Sequence, residues 1–168
     1  MKDVELKIIM AIAVIGTVFV VFTAKPEPMT FVDQKTIETN YDLLFMYNTI
    51  RYPTYVQITN PGAENVTIGI NLGTTSLDFG VVPGNGGTVK KEINLTTKDD
   101  KASRVGIKVY GNIKPLMSFD QNDFILTGKR SIPITINTGT YGEGNYTGEI
   151  DITIQRSKYG ILNFILGY

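Results

Sequence analysis

Few residues in this chain have the types and spacing of a reactive site. It has no histidine and no cysteine. That removes the commonest general base, the commonest metal ligand and all thiolate chemistry. Gly84-Asn-Gly-Gly87 is glycine-rich enough to cradle a phosphate. No Lys-Ser/Thr follows it, and it falls between two strand-like runs, so it reads as a hairpin turn. Thr127-Gly-Lys-Arg130 has the Gly-Lys pair of a P-loop. Arg130 stands where the hydroxyl belongs, and no glycine lies five residues before Gly128. It reads as a turn followed by two solvated charges. Asp120-Gln-Asn-Asp123 offers oxygens to a calcium ion, but a calcium loop draws six or more from a longer, glycine-turned segment. An Asx turn suits it better. Asp99-Asp100, between Lys98 and Lys101, reads as a self-neutralised loop. No Ser or Thr has a base to activate it, and no S-x-x-K occurs. The expectation is a protein that is not an enzyme, with no catalytic residue, cofactor or metal ligand.

Three other sets of residues point to contact rather than catalysis. Asn65-Val-Thr67, Asn94-Leu-Thr96 and Asn145-Tyr-Thr147 are glycosylation sequons. Each Asn adjoins an inward residue of a two-residue alternation, which aims Asn65, Asn94 and Asn145 at solvent, where a glycan fits. The plainer reading leaves them as ordinary solvent-facing residues. Tyr41, Phe45, Tyr47, Tyr52 and Tyr55 are dense for a small core. They are the preferred contact surface, since exposed aromatics of this density mark interfaces. The alternative is a second small core with a stalk. The tail 159–168, with Phe164, Ile165 and Leu166, is apolar after the last clear strand. It reads either as a final strand on its own domain, or as a segment that docks on a bilayer or on the sheet edge of another copy.

These residues need elements to position them. Residues 6–24 read LKIIMAIAVIGTVFVVFTA, with Lys7 the one charge. As a helix they span roughly 28 Å, the hydrocarbon thickness of a bilayer. Phe22 at the −3 place before Ala24 argues for an uncleaved anchor over a signal peptide. No Gly stands between the basic head and the apolar run, against a prepilin-type leader. Lys2 and Lys7 precede the run and Lys25 follows it, which biases the N-terminus inside and the C-terminal domain outside. From Lys25 onward the chain has fourteen basic and fourteen acidic residues and no long run of one sign, which is poor material for nucleic acid.

Lys25-Pro-Glu-Pro28 is a stiff exit. Residues 31–50 fit an amphipathic helix, with Ile37, Tyr41, Leu44 and Phe45 on one face, or an edge strand over 43–50. Beyond Pro53 the period is two. Strands are expected at 55–59, through Val66, Ile68, Ile70 and Leu72, and through Leu77, Phe79 and Val81. Further strands follow at Val89, Ile93 and Leu95, then at Val105, Ile107 and Val109, then at 124–126. The last two carry Ile132/Ile134/Ile136 and Ile150/Ile152/Ile154. Strand-like runs every 8 to 15 residues, punctuated by Gly, Asn and Pro, indicate an all-β antiparallel sandwich. Pro133 within a run predicts an edge strand.

Ser76-Leu-Asp-Phe-Gly-Val-Val-Pro-Gly84, Asn122-Asp-Phe-Ile-Leu-Thr-Gly128 and Gly144-Asn-Tyr-Thr-Gly-Glu-Ile-Asp-Ile152 carry a resemblance. Over residues 62–156 the chain resembles the immunoglobulin-like modules, of hydin and sperm-protein type, found in archaeal and other microbial cell-surface proteins. It departs from them at Thr96-Thr-Lys-Asp-Asp100, where the family has an Asn-x-Gly turn. The resemblance implies an immunoglobulin-like sandwich with an adhesive, spacer or complex-forming role, and no enzyme activity. The expected organisation is a head and transmembrane helix (1–24), a connecting segment (25–54), the sandwich (55–158) and the tail (159–168). The expected protein is a single-pass cell-membrane protein that holds or positions an envelope protein, with no nucleic acid among its partners. Two alternatives stay open: a homo-oligomeric filament or surface-layer subunit joined by strand exchange, and an accessory subunit of a membrane machine, similar in plan to archaellum stator parts.

Overall fold

The computed structural model describes residues 30–60, 75–97 and 101–159. The described strands are β1 (Thr36–Tyr41), β2 (Phe45–Thr59), β3 (Leu77–Pro83), β4 (Thr88–Thr96), β5 (Ser103–Gly111), β6 (Met117–Phe119), β7 (Phe124–Leu126), β8 (Lys129–Asn137) and β9 (Gly144–Ser157). A 3₁₀ turn at Lys114–Leu116 leads into β6. The larger sheet runs β1-β2-β9-β5-β7, with β3 also on β2; the smaller runs β4-β8-β6. The ladders are antiparallel except β2–β3, which is parallel.

The two-residue alternation explains how the sheets meet. Ile150, Ile152 and Ile154 of β9, Val105 and Ile107 of β5, and Val56 and Ile58 of β2 point to one side and are buried. Ile132, Ile134 and Ile136 of β8, with Ile93 and Leu95 of β4, face them from the smaller sheet. All belong to one cluster. Each such side chain contributes about 1.5–3 kcal/mol by leaving water. The fold is therefore all-β and mostly antiparallel, two sheets over a common core, compatible with a β-sandwich. Among the described residues no helix is long and apolar enough to cross a membrane. The anchor expected at 6–24, the strand through Val66 to Leu72 and residues 160–168 lie outside the described residues.

Several local expectations are corrected. Val82, not Val81, is the buried residue that follows Phe79. Gly80 has φ 71° and its N–H donates to Asp78 Oδ1 at 2.8 Å, so β3 bulges there. The β2–β3 register shifts between Tyr55 and Gln57, which turns Val82 inward. The Gly84–Gly87 turn is not a hairpin, because β3 and β4 lie in different sheets. Asn85 and Gly86 both take positive φ there, and a Cβ on Gly87 would sit 2.1 Å from the Pro83 carbonyl oxygen. Pro133 is on the central strand of its sheet rather than at an edge. β6 is only three residues long and its pairing with β8 begins at Ile134, so Pro133 sits just outside the stretch that β6 covers. Residues 45–50 take the strand alternative rather than the helix, and β2 runs unbroken through residue 54, the division placed between connecting segment and sandwich.

Candidate interaction surface

β2 and β9 pair along their whole length, from Phe45↔Ser157 to Ile58↔Gly144. On the far side of β2, β1 takes the first half and β3 the second. β1, the start of β2 and the end of β9 form the β1 wing of the larger sheet, with β5 alongside β9 as far as Arg104↔Gln155.

Opposed residues of an antiparallel pair share a face. One face of the wing carries Ile37↔Ile50, Thr39↔Asn48 and Tyr41↔Met46, continuous with the core side of the sheet. The core covers it only in part: Ile37 is 64% and Tyr41 66% exposed. At the β1–β2 turn Leu43 is 80% and Leu44 40% exposed. Asp42 holds this turn. Its Oδ1 accepts from Leu44 N at 2.8 Å and Phe45 N at 2.6 Å, and its Oδ2 accepts from the Tyr47 hydroxyl at 2.7 Å. Partial burial alone would raise the Asp42 pKa, but these donors, aided by Lys158, hold it below the ordinary value.

The other face is polar and closed. Glu149 is fully buried. Arg51 Nε donates to its Oε1 at 2.7 Å, and Val32 N to its Oε2 at 2.8 Å. Arg51 also reaches Glu38 at 3.1 Å and lies 3.6 Å from Asp151. Thr49 and Thr153 hydroxyls meet at 3.2 Å beside them. The chain before β1 thus crosses this face pinned on a buried carboxylate. Burial pushes the Glu149 pKa upward, yet Arg51, Val32 N–H and Asp151 outweigh it and hold the group below its ordinary value of 4.5. A lowered carboxylate stabilises the fold fully above that value, and the contribution is lost as pH falls through the folded pKa. Melting temperature should therefore drop on acidification below about pH 4.5, and the gap between wild type and Glu149→Gln should narrow over the same range. A gap that stays constant from pH 7 to pH 3 would contradict this assignment.

The wing holds the sheet edge with fewest defences. β4 carries Lys90, Lys91 and Glu92, β6 and β7 are three residues each, and β3 is bulged. All are ways of blunting an edge. β1 pairs only with β2 among the described strands, is six residues long, and has one charged side chain, Glu38, which is engaged by Arg51.

The residues expected to form an interface divide. Tyr41 is exposed, and Phe45 and Tyr47 are half-buried on the polar face, ring centroids 6.2 Å apart. These three share the wing. Tyr52 is 9% exposed and packs in the core, with the Lys35 ammonium 5.0 Å from its ring centroid, so it leaves the candidate surface. Tyr55 is half-buried further along β2, its hydroxyl donating to Asn145 Oδ1 at 3.0 Å. Asn94 on β4 and Asn145 on β9 are exposed. Asn65, Phe164, Ile165 and Leu166 lie outside the described residues. Ile37, Leu43, Leu44 and the Arg51–Glu149 pair were missed as site residues. Ile37 and Leu44 appear only on the face of the helix alternative and Leu43 only in the strand alternative for 43–50; nothing in the spacing points to Arg51 and Glu149.

Of the stretches tested for chemistry, Asp99-Asp100 lies outside the described residues, and those at 120–123 and 127–130 have structural partners. Asn122 accepts from Ile107 N at 2.7 Å and donates to Ile107 O at 2.9 Å, extending the edge of β5 as a strand would. Asp123 binds Arg104 through both carboxylate oxygens, each at 2.5 Å, and its pKa is lowered chiefly by that bond. Gly128, at φ 74°, exchanges bonds with Thr97. Asn122→Ala would strip both Ile107 groups of partners, and a stability loss of about 1–3 kcal/mol is expected in denaturant titration. No cluster of three or more His, Cys, Asp or Glu suited to a metal occurs among the described residues. A cleft between β5 and β6 is lined by Ile107, Lys108, Val109, Tyr110, Lys114 and Phe119.

Comparison with protein-family models, with curated proteins and with solved structures finds no match to this chain.

Proposed function

We propose that this protein is a membrane-anchored extracytoplasmic interaction module that holds or positions another component of the cell envelope. The observation that carries the reading is the β1 wing, a sheet edge beyond which no other described strand lies, with exposed Ile37, Tyr41, Leu43 and Leu44 beside it. A partner strand laid on β1 would gain main-chain hydrogen bonds, and those side chains would supply apolar contact. The anchor is the apolar run at 6–24. The chain enters the described fold at the level of Glu149, about eight residues of β9 from the wing tip, roughly 26 Å along the strand. The two-sheet architecture is compatible with the immunoglobulin-like module that the motifs resemble, which serves adhesive and complex-forming roles.

The test is purification of the full chain in mild detergent, with mass measurement and identification of what accompanies it. A protein at fixed stoichiometry, lost in the Tyr41→Ser/Leu43→Ser variant, supports the reading. A lone monomer, or a partner retained by that variant, removes the wing as the docking surface. Exposed Asn94 and Asn145 are acceptors in the same setting: Asn94→Gln should increase gel mobility in protein taken from the native host.

A further inference from the structure

We propose that β1 pairs with β1 of a second copy of this chain, antiparallel about a two-fold axis at Thr39, so that the larger sheet runs on from one molecule into the next. The inference deepens the reading of β1 as the docking edge and rests on it for its consequence, that a strand of another component must displace the second copy.

The direction of the main-chain groups carries the argument. Asp42 N donates to Phe45 O at 3.0 Å, so the β1–β2 ladder starts from a hydrogen-bonded pair at the turn. Bonded and non-bonded pairs alternate along an antiparallel ladder. Asn40↔Tyr47, Glu38↔Thr49 and Thr36↔Arg51 are therefore the bonded pairs, and the N–H and C=O groups of Ile37, Thr39 and Tyr41 point away from β2. The bond from Lys158 N to Leu44 O, 2.8 Å long, fits this alternation. It gives the even-numbered residues of β2 to β9 and leaves the odd-numbered ones to β1. Residues 37 to 41 are exposed without a break, on both faces of the strand.

The side chains of β1 suit a second β1 and fix its register. A two-fold contact sets the same strand against itself, so each residue meets its own mirror in the sequence. With the axis at Thr39, Ile37 of each copy stands opposite Tyr41 of the other, on one face. Thr39 meets Thr39, and Glu38 meets Asn40. The residues whose main-chain groups point outward are thereby opposed to one another, and each such pair exchanges two hydrogen bonds. The neighbouring registers are worse. An axis at Glu38 sets two carboxylates directly opposite, and an axis at Asn40 sets Glu38 opposite Asp42; like charges so placed destabilise a ladder. An axis at Ile37 leaves Tyr41 opposite Asp33, outside β1. Only the register at Thr39 covers both large apolar side chains of β1, Ile37 at 64% and Tyr41 at 66% exposed, with no like charges opposed.

The chain has no cysteine, so a single introduced cysteine forms a disulfide only between copies. Opposed residues of a bonded pair have Cα atoms about 5.5 Å apart, within the span of a disulfide. In the full chain in detergent, Ile37→Cys, Glu38→Cys, Thr39→Cys, Asn40→Cys and Tyr41→Cys are made one at a time and oxidised mildly. The expected result is a disulfide at dimer mass, formed at least tenfold faster with Thr39→Cys than with any of the other four. A maximum at another position, equal rates at all five, or no dimer at any of them would overturn the proposal. Sedimentation of the cysteine-free chain gives a second reading. A monomer–dimer equilibrium is expected, and Ile37→Lys, at an exposed position, should raise its dissociation constant at least tenfold. A monomer at every concentration, or an unchanged constant, would count against self-pairing. Should these fail while an accompanying protein is still lost in Tyr41→Ser/Leu43→Ser, self-pairing falls and the docking reading stands.

Discussion

Arg51→Leu is expected to destabilise the protein by about 3–5 kcal/mol, the loss typical when one partner of a buried ion pair is removed. Glu149 is fully buried, and its carboxylate is held by Arg51 Nε at 2.7 Å and by Val32 N at 2.8 Å. Without the guanidinium, the carboxylate must either stay charged in a low-dielectric site or take up a proton. Its pKa would then rise from below its ordinary value to above it, because burial would act unopposed. The variant should therefore lose less stability on acidification than wild type does. The double variant Arg51→Leu/Glu149→Leu should recover most of the loss, because two apolar side chains leave no uncompensated charge. Urea titration of the three proteins checks this. Additive losses would show that the pair is not coupled. Arg51 also holds Glu38 on β1, so the single variant should loosen β1 along with the segment that crosses Glu149.

Gly148→Ala should be the most damaging small substitution, at about 3 kcal/mol, the upper end for overpacking. A Cβ at this position would lie 2.0 Å from the Tyr110 carbonyl oxygen and 2.7 Å from Ile113 Cγ2. The nearer atom is backbone, held in the β5–β9 ladder where Gly111 pairs with Gly148, so no rotamer change relieves the contact. Gly111 opposite has φ 89° and is crowded by Thr147 and by the Phe31 ring. The two glycines let β5 and β9 approach closely just before Glu149. Gly106 on the same ladder is the control. A Cβ there meets nothing within 4 Å, so Gly106→Ala should be neutral or stabilise by about 0.4–1 kcal/mol through the unfolded chain. Thermal melts of the two variants side by side separate close approach from a general intolerance of the strand pair.

Much of the fold was legible, and particular residues show why. The triplets Ile132/Ile134/Ile136 and Ile150/Ile152/Ile154 recur at every second residue and are buried as expected. Where alternation failed as a guide, a backbone feature intervened. Gly80 inserts a bulge and moves burial from Val81 to Val82. Pro133 tolerates a central strand because β6 stops at Ile134. Residues 31–50 admitted both a helix and a strand, since Ile37, Tyr41, Leu44 and Phe45 satisfy a helical face as well as they populate a wing. Of the candidate contact residues, Tyr41, Phe45 and Tyr47 come together, whereas Tyr52 goes to the core. No spacing distinguishes Tyr52 from the others; its position opposite Ile150 does.

The sequence by itself determined the all-β class, the faces of most strands and the want of histidine and cysteine chemistry. These follow from residue type and from a period of two, which are local properties of the chain. Only the tertiary structure decided that β2 is shared by β1 and β3, that Glu149 is buried against Arg51, and that β1 pairs with β2 alone among the described strands. An edge is a row of main-chain groups, and side-chain pattern carries no record of whether another strand lies beside them. The ion pair joins residues 98 positions apart, close in space only because β2 and β9 pair in that register.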